Sequence, residues 1–202
     1  MIDLFLASAS PRRHEILEKM QLPHTVYVAE ADETLPSDIS KKEAGEILAA
    51  RKALAVKNAL IAEGRFTDNT MILAADTLVY IDDTPLGKPK NAKKALEMLF
   101  DLSGKRHSVC TGTCLIYGNR SISTAEISDV YMRAFSLLEA ESYIKTGEPL
   151  DKAGAYGIQG IGSVLVDRID GDFFSVMGLS PKTVCTLLNK LGISYFDLIQ
   201  EK

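Results

Sequence analysis

Apolar and polar positions along this chain switch between two periods, and the switches mark its elements. Leu4-Phe5-Leu6 is a short apolar run that stops at Ala7-Ser8-Ala9-Ser10, after which Pro11-Arg12-Arg13 opens a segment with helical spacing. This predicts a buried strand, a tight loop and a helix over about 11–20. Ser10 suits the N-cap and Pro11 the first helical position, where its missing N–H costs nothing. A strand is predicted over 24–28, then an acidic loop from Glu30 to Thr34. Ser37 and Ser40 offer caps for a long helix ending before Gly64. Its apolar residues Ala44, Ile47, Leu48, Ala55, Ala59 and Leu60 fit one face loosely.

Met71 to Ala75 is a continuous apolar run, as expected of a central strand, and it is predicted to end at Asp76-Thr77. Leu78 to Ile81 extends again, Asp82-Asp83 turns, and Leu86-Gly87-Lys88-Pro89 closes the excursion. The pattern then predicts a helix over 91–102, strands over 106–117 and 121–134, and a helix from the Ser136 cap to Lys145. A glycine-rich loop follows, then a strand over 163–166 and a last helix from Ser180-Pro181 to about Leu191. Alternating helices and strands with hairpins predict an α/β fold with a mixed sheet. There is no internal repeat, low-complexity segment or interdomain linker, so residues 1–202 are expected to form one domain with a sizeable core.

Composition narrows the function. Hydrophobic residues are 46% and charged residues 25%, as in soluble globular proteins, and the net charge of −4 offers nucleic acid no general attraction. A polyanionic ligand must therefore meet a local basic pocket. No apolar run approaches the ~20 residues that span a bilayer. Residues 1–10 lack a basic segment and contain Asp3, so no secretory leader is expected. Cys110 and Cys114 lie about 13 Å apart along one strand, too far for a disulfide. With Cys185 they are expected to be reduced and packed, in a cytoplasmic protein.

Arg12 and Arg13 change the picture, because cations at a helix N-terminus oppose its partial positive charge. A bound anion reverses that argument. Backbone N–H groups, a serine hydroxyl and two guanidinium groups would cradle a phosphate; otherwise the arginines are solvated surface residues. Asp76, directly after a buried run, sits where open α/β sheets place ligands. It can bind a divalent metal or activate water, and it equally suits a turn or a helix cap. Glu33, with Asp32 and Glu30, offers a second acidic group for a cation such as Mg²⁺, or is simply solvated. Lys88, held between Gly87 and Pro89, is a candidate phosphate partner. Lys52 is another, although a lysine on a helix is by default solvated. The Gln159 amide can pair with uracil or thymine, or flip to meet cytosine, or bond to its own loop. No P-loop, Gly-x-Ser-x-Gly elbow or His-Glu-x-x-His motif is present, and His14, His24 and His107 form no ligand cluster in sequence.

Ser8-Ala9-Ser10-Pro11-Arg12-Arg13, Ala75-Asp76-Thr77, Gly87-Lys88-Pro89, Leu102-Ser103-Gly104-Lys105 and the segment from Asp151 to Gly160 occur in that order. Together they resemble the Maf family of nucleoside triphosphate pyrophosphatases, first linked to inhibition of septum formation. The resemblance runs from residue 4 to about 181. It implies a fold similar to the inosine triphosphatases (Maf/Ham1-like), with a twisted mixed sheet, flanking helices and two lobes around a central cleft. It implies hydrolysis of a nucleoside triphosphate to the monophosphate and pyrophosphate with a divalent metal, Mg²⁺ or Mn²⁺. It also implies a homodimer, and no nucleic-acid or membrane partner.

By position, Asp76 matches the family's catalytic base, and Asp76 with Glu33 would hold the metal. Arg13, Thr77 and Gln159 match positions tied to substrate choice; Ser8, Arg12, Lys52 and Lys88 match other pocket positions. Tyr156-Gly157-Ile158-Gln159-Gly160 resembles the branch acting on dTTP and UTP, not the branch acting on 7-methyl-GTP. Gly178-Leu179-Ser180-Pro181 departs from the family's usual Gly-Leu-Pro, and Phe173-Phe174 from its common tyrosine. The rival reading is a nucleotide-binding regulator of septum formation in which hydrolysis is incidental, although such a module would not need a carboxylate at position 76.

Overall fold

The structure is a computed structural model and describes residues 2–200; the ends of the expected 1–202 domain lie outside the described residues. The elements run β1 (Asp3–Leu6), α1 (Pro11–Lys19), β2 (Thr25–Val26), α2 (Lys41–Ala62), β3 (Thr70–Ile81), β4 (Thr84–Leu86) and α3 (Ala92–Leu102). They continue with β5 (Arg106–Tyr117), β6 (Arg120–Met132), α4 (Leu137–Lys145), β7 (Val166–Asp170), α5 (Phe173–Met177), α6 (Pro181–Lys190) and α7 (Tyr195–Gln200). Short 3₁₀ turns occupy Glu148–Asp151, Ala153–Ala155 and Ile161–Leu165. The strands form a mixed sheet in the order β2-β1-β3-β5-β6-β7, with β4 added to β3. β1 runs parallel to β2 and β3, while β4 and β7 pair antiparallel with β3 and β6. The predicted α/β class with a mixed sheet is the one observed.

Three predicted strand boundaries fail. β3 does not stop at Asp76 but runs on through Ile81. The β-prone stretch Thr77-Leu78-Val79-Tyr80-Ile81 keeps the backbone extended, and β4 pairs with its far end. Residues 163–165 are not strand. Gly160, with φ of +88°, turns the chain, and its carbonyl accepts from the backbone N–H and the hydroxyl of Ser163. The strand begins only at Val166. The strand expected over 24–28 shrinks to two residues, and α5 and α7 were not anticipated.

The described chain falls into two compact units, and it passes between them inside strands β3, β5 and β6 as well as after Met177. The first unit comprises the described residues up to Asp76, Thr111–Glu126 and the described residues from Gly178. Its core packs Ala49, Ala53, Val56 and Leu60 of α2 on Phe5 of β1, Ile72 and Ala74 of β3, and Cys114 and Ile116 of β5. The buried face of α2 is therefore 44, 45, 48, 49, 53, 56 and 60, and Ile47, Ala55 and Ala59 lie at its edge. Ser40 caps this helix in a reciprocal box with Glu43. Gly112 permits a close approach of β5 to α2: a Cβ there would lie 1.9 Å from the carbonyl oxygen of Gly45.

The second unit comprises Thr77–Cys110 and Ile127–Met177. α3 packs against α4 and the turn at Ala153–Ala155. Buried His107 on β5 lies with its Nε2 2.7 Å from the hydroxyl of Tyr156. Burial pulls the imidazole down to about 4, only partly opposed by the charge of Asp129, and pushes the Tyr156 phenol up.

Candidate active site

β1 pairs with β2 on one side and β3 on the other, so the order of the parallel strands reverses at β1. A crevice outside the carboxyl end of such a strand is where open α/β sheets hold ligands. The chain leaves β1 at Leu6 and enters the loop carrying buried Ser8, then the first turn of α1 with Arg12 and Arg13. Leu6 lies opposite Leu73 of β3, and the pairing closes with the N–H of Ala7 donating to the carbonyl of Leu73. Asp76 stands three residues further along β3, about 10 Å beyond the carboxyl end of β1. Its position beside a ligand crevice is thus retained although its own strand continues. A turn or cap role for Asp76 is excluded by that continuation.

Side-chain alternation then decides what Asp76 meets. Ile72, Ala74 and Asp76 share one face of β3, and α2 covers that face through Ala49 and Ala53. Lys52, on the same stretch of helix, donates its Nζ to the Asp76 carboxylate and lies 2.9 Å from Glu33 Oε1. Lys52 is therefore not a solvated helix residue. Burial pulls its ammonium down, but the charge of Asp76 and the bonds to Asp76 and Glu33 outweigh that and hold it above the usual lysine value. Neighbouring Arg51 lies 3.3 Å from Asp32 Oδ2 and donates to the carbonyls of Asp32 and Thr34. The two adjacent cations of α2 thus tie down the acidic loop, whose carboxylates stay largely exposed. Among the described residues, no three His, Cys, Asp or Glu side chains group in a way that would hold a metal.

Arg13 is partly buried and committed on two sides. Its Nε donates to the carbonyl of Gly178 at 2.9 Å and its Nη1 to Ser8 Oγ at 2.9 Å. Burial lowers its pKa to about 10, against the raising effect of Asp76 and with the lowering effect of Arg12. The Ser8 hydroxyl also accepts from the N–H of Ser10. Ser10 is the N-cap of α1, as predicted, but its side chain makes no cap bond, whereas Ser40, Asn91, Ser136 and Ser180 all cap their helices. The first turn of α1 keeps two arginines and an uncapped N-terminus together. The departure at Ser180 has a local account: its hydroxyl caps α6 through the N–H of Thr183. Phe173 and Phe174 pack edge to face, with ring centroids 5.7 Å apart.

Thr77, Lys88 and Gln159 belong to the second unit. Thr77 directly follows Asp76 on β3, and Lys88 is exposed after β4. The loop carrying Lys88 meets the loop carrying Gln159, because the N–H of Gly154 donates to the carbonyl of Gly87 at 3.2 Å. Gly154 adopts φ of +73°, and a Cβ there would press on Val79 at 3.0 Å. Gln159 is half-buried between Gly157 and Gly160. Tyr143 and Glu148, which hold this loop, carry no sequence signal of their own. The hint lies in Gly157, Gly160 and Gly162, whose crowding implies a side chain seated among their backbones.

The family described as Maf-like protein matches residues 3–191. A dTTP/UTP pyrophosphatase of Caldicellulosiruptor bescii is 43% identical over 98% of this chain and 97% of its own length. Proteins of the same name from Desulforamulus reducens and Bacillus pumilus are each 40% identical, covering 96% and 97% of this chain and 98% and 100% of theirs. Among solved structures, the Ham1 protein of Staphylococcus aureus aligns over 98% of this chain and 94% of its own, with a TM-score of 0.51 at 13% identity, a likeness of fold.

Proposed function

The chain belongs to the Maf family, and we propose that it hydrolyses dTTP and UTP to the nucleoside monophosphate and pyrophosphate. The observation that carries this reading is the convergence of Asp76 and Glu33 on Lys52, beside the carboxyl end of β1. The names of the relatives supply the two nucleotides. In this reading water attacks the α-phosphorus, a new P–O bond forms, and the bond to the α,β-bridging oxygen breaks with pyrophosphate leaving. Asp76 takes the proton of the attacking water. Arg12, Arg13, Ser8 and the N-terminus of α1 bind the triphosphate, with Lys52 and Lys88 as further counter-charges. Thr77 and Gln159 select the base.

The residues fit a hard divalent cation. Two carboxylates already face one cationic group, the Lys52 ammonium, and one or two carboxylates plus phosphate oxygens are what Mg²⁺ takes in nucleotide sites. Asp76 and Glu33 would hold Mg²⁺ or Mn²⁺, which supplies charge neutralisation at the phosphates when bound. The free state of all three cysteines supports a reducing, cytoplasmic setting. No helix among the described residues is long and apolar enough to cross a membrane. A homodimer without nucleic-acid partners rests on the family resemblance and the acidic balance.

The test is pyrophosphate release from a panel of common and modified nucleotides, with and without Mg²⁺. Release from UTP and dTTP that needs the metal is the expected result. No release from any pyrimidine triphosphate overturns the assignment, and release mainly from 7-methyl-GTP overturns the branch.

A further inference from the structure

The loop that carries Gln159 is wrapped around a carboxylate. Glu148 Oε1 accepts from the hydroxyl of Tyr143 at 2.9 Å and from the N–H of Gly162 at 3.0 Å, and its Oε2 accepts from the N–H of Ile161 at 3.0 Å. The Tyr143 hydroxyl in turn accepts from the N–H of Gly157 at 3.0 Å. Both flanks of Gln159 are therefore tied, through three backbone donors, to one acid and one phenol. The glycines follow from this seat. A Cβ at Gly160 would lie 2.9 Å from Glu148 Oε2, one at Gly157 3.0 Å from Glu148 Oε1, and one at Gly162 2.4 Å from the Tyr143 hydroxyl. Lys152 steadies the same turn by donating its Nζ to the Glu148 carbonyl at 2.6 Å and to Asp151.

We propose that Glu148, acting with Tyr143, is a positioning residue for base selection: it fixes the 157–162 loop so that the Gln159 amide presents one hydrogen-bonding face. The inference rests on the reading of Gln159 as the base-selecting group. All three donors around the carboxylate need an acceptor, and only the ionised acid offers acceptors on both oxygens. Burial raises the Glu148 carboxyl, but the bonds from Gly162, Ile161 and Tyr143, with the charge of Lys152, outweigh that and hold it below its ordinary value. In Glu148→Gln the amide group would face the N–H of Ile161 donor to donor. In Tyr143→Phe the N–H of Gly157 loses its acceptor. Neither change touches the groups assigned to the triphosphate.

The test measures kcat and KM for UTP and CTP, and inhibition by pyrophosphate, in Glu148→Gln, Tyr143→Phe, Gln159→Ala and the Glu148→Gln/Gln159→Ala pair. Far-UV circular dichroism serves as the fold control. Glu148→Gln and Tyr143→Phe are expected to lower the UTP-over-CTP preference about tenfold, the worth of one hydrogen bond, through KM for UTP. Pyrophosphate inhibition stays unchanged, and the double variant loses no more than Gln159→Ala alone. A folded Glu148→Gln with the parental preference, beside a Gln159→Ala that loses it, overturns the proposal while leaving Gln159 its role. An equal loss of kcat for both nucleotides also overturns it, as that marks a general structural part. If Gln159→Ala keeps the preference, the base-selection reading itself fails and the proposal falls with it. Should Glu148→Gln not fold, Tyr143→Phe decides on the same criteria.

Discussion

Lys52, midway along α2, donates to the carboxylate of Asp76, midway along β3. The pair joins the helix to the strand at the one point where the shared face turns from apolar to ionic. Under the proposed reaction it also brings a proton acceptor and a phosphate counter-charge to the same place. Asp76→Asn is expected to keep nucleotide binding but to lose roughly 10²–10⁴-fold in kcat, the usual worth of a general base. Steady-state kinetics with a direct UTP-binding measurement separates the two effects; full turnover removes Asp76 from the chemistry.

Arg13 uses two different edges of its guanidinium, one on Gly178 and one on Ser8. A lysine presents a point charge and cannot hold both partners in that geometry. Arg13→Lys is expected to raise KM for UTP about tenfold or more, with about 1 kcal/mol of fold stability lost as one of the two bonds goes. An unchanged KM, read from initial rates, would count against a phosphate role for the first turn of α1.

His107 gives the fold a signature in acid. It is neutral in the folded state down to about pH 4, whereas in the unfolded chain it takes up a proton near its ordinary value of 6.5. The unfolded chain binds more protons between those values, so stability falls as pH falls through that window. At the lower end the loss reaches about 3 kcal/mol. Urea unfolding at pH 7.5, 6 and 5 reads the slope, and His107→Gln is expected to flatten it relative to the parent. Equal slopes in both proteins would contradict the buried neutral imidazole.

Gly112 is expected to be intolerant of a single methyl group. Its Cβ would fall 1.9 Å from the carbonyl oxygen of Gly45, and two backbones must separate to admit it. Gly112→Ala is expected to cost at least about 2 kcal/mol, in the range of overpacked cores. It should also reduce kcat, since Gly45 lies two turns before Lys52 on the same helix. Chemical denaturation and initial rates check the two expectations separately.

Much of this architecture was legible in the chain. Ser40 and Ser136 announced their helices because capping is a local matter of one side chain and one turn. What failed was non-local. Asp76 reads as a strand terminator because a charge ends an apolar run; its Lys52 partner, 24 residues away, appears only in three dimensions. Val164 and Leu165 read as strand by residue type, yet the carbonyl of Val164 is taken by the side chain of Arg133 and the stretch closes as a 3₁₀ turn. The lysine at 52 and the acids at 32 and 33 each look solvated alone and became a network only when α2 met the loop. Glu148 likewise meets Tyr143, Ile161 and Gly162 only in the folded chain.

The uninterrupted course of β3 through Asp76 has a consequence for the energetics of turnover. A carboxylate on a loop must lose conformational freedom each time it is brought to its substrate. One on a strand, directly after a buried run from Met71 to Ala75, has lost that freedom already during folding. The reorganisation cost of placing the proton acceptor is thereby moved out of the catalytic cycle and into the stability of the protein. Destabilising β3 far from Asp76 should therefore slow turnover before it unfolds the chain.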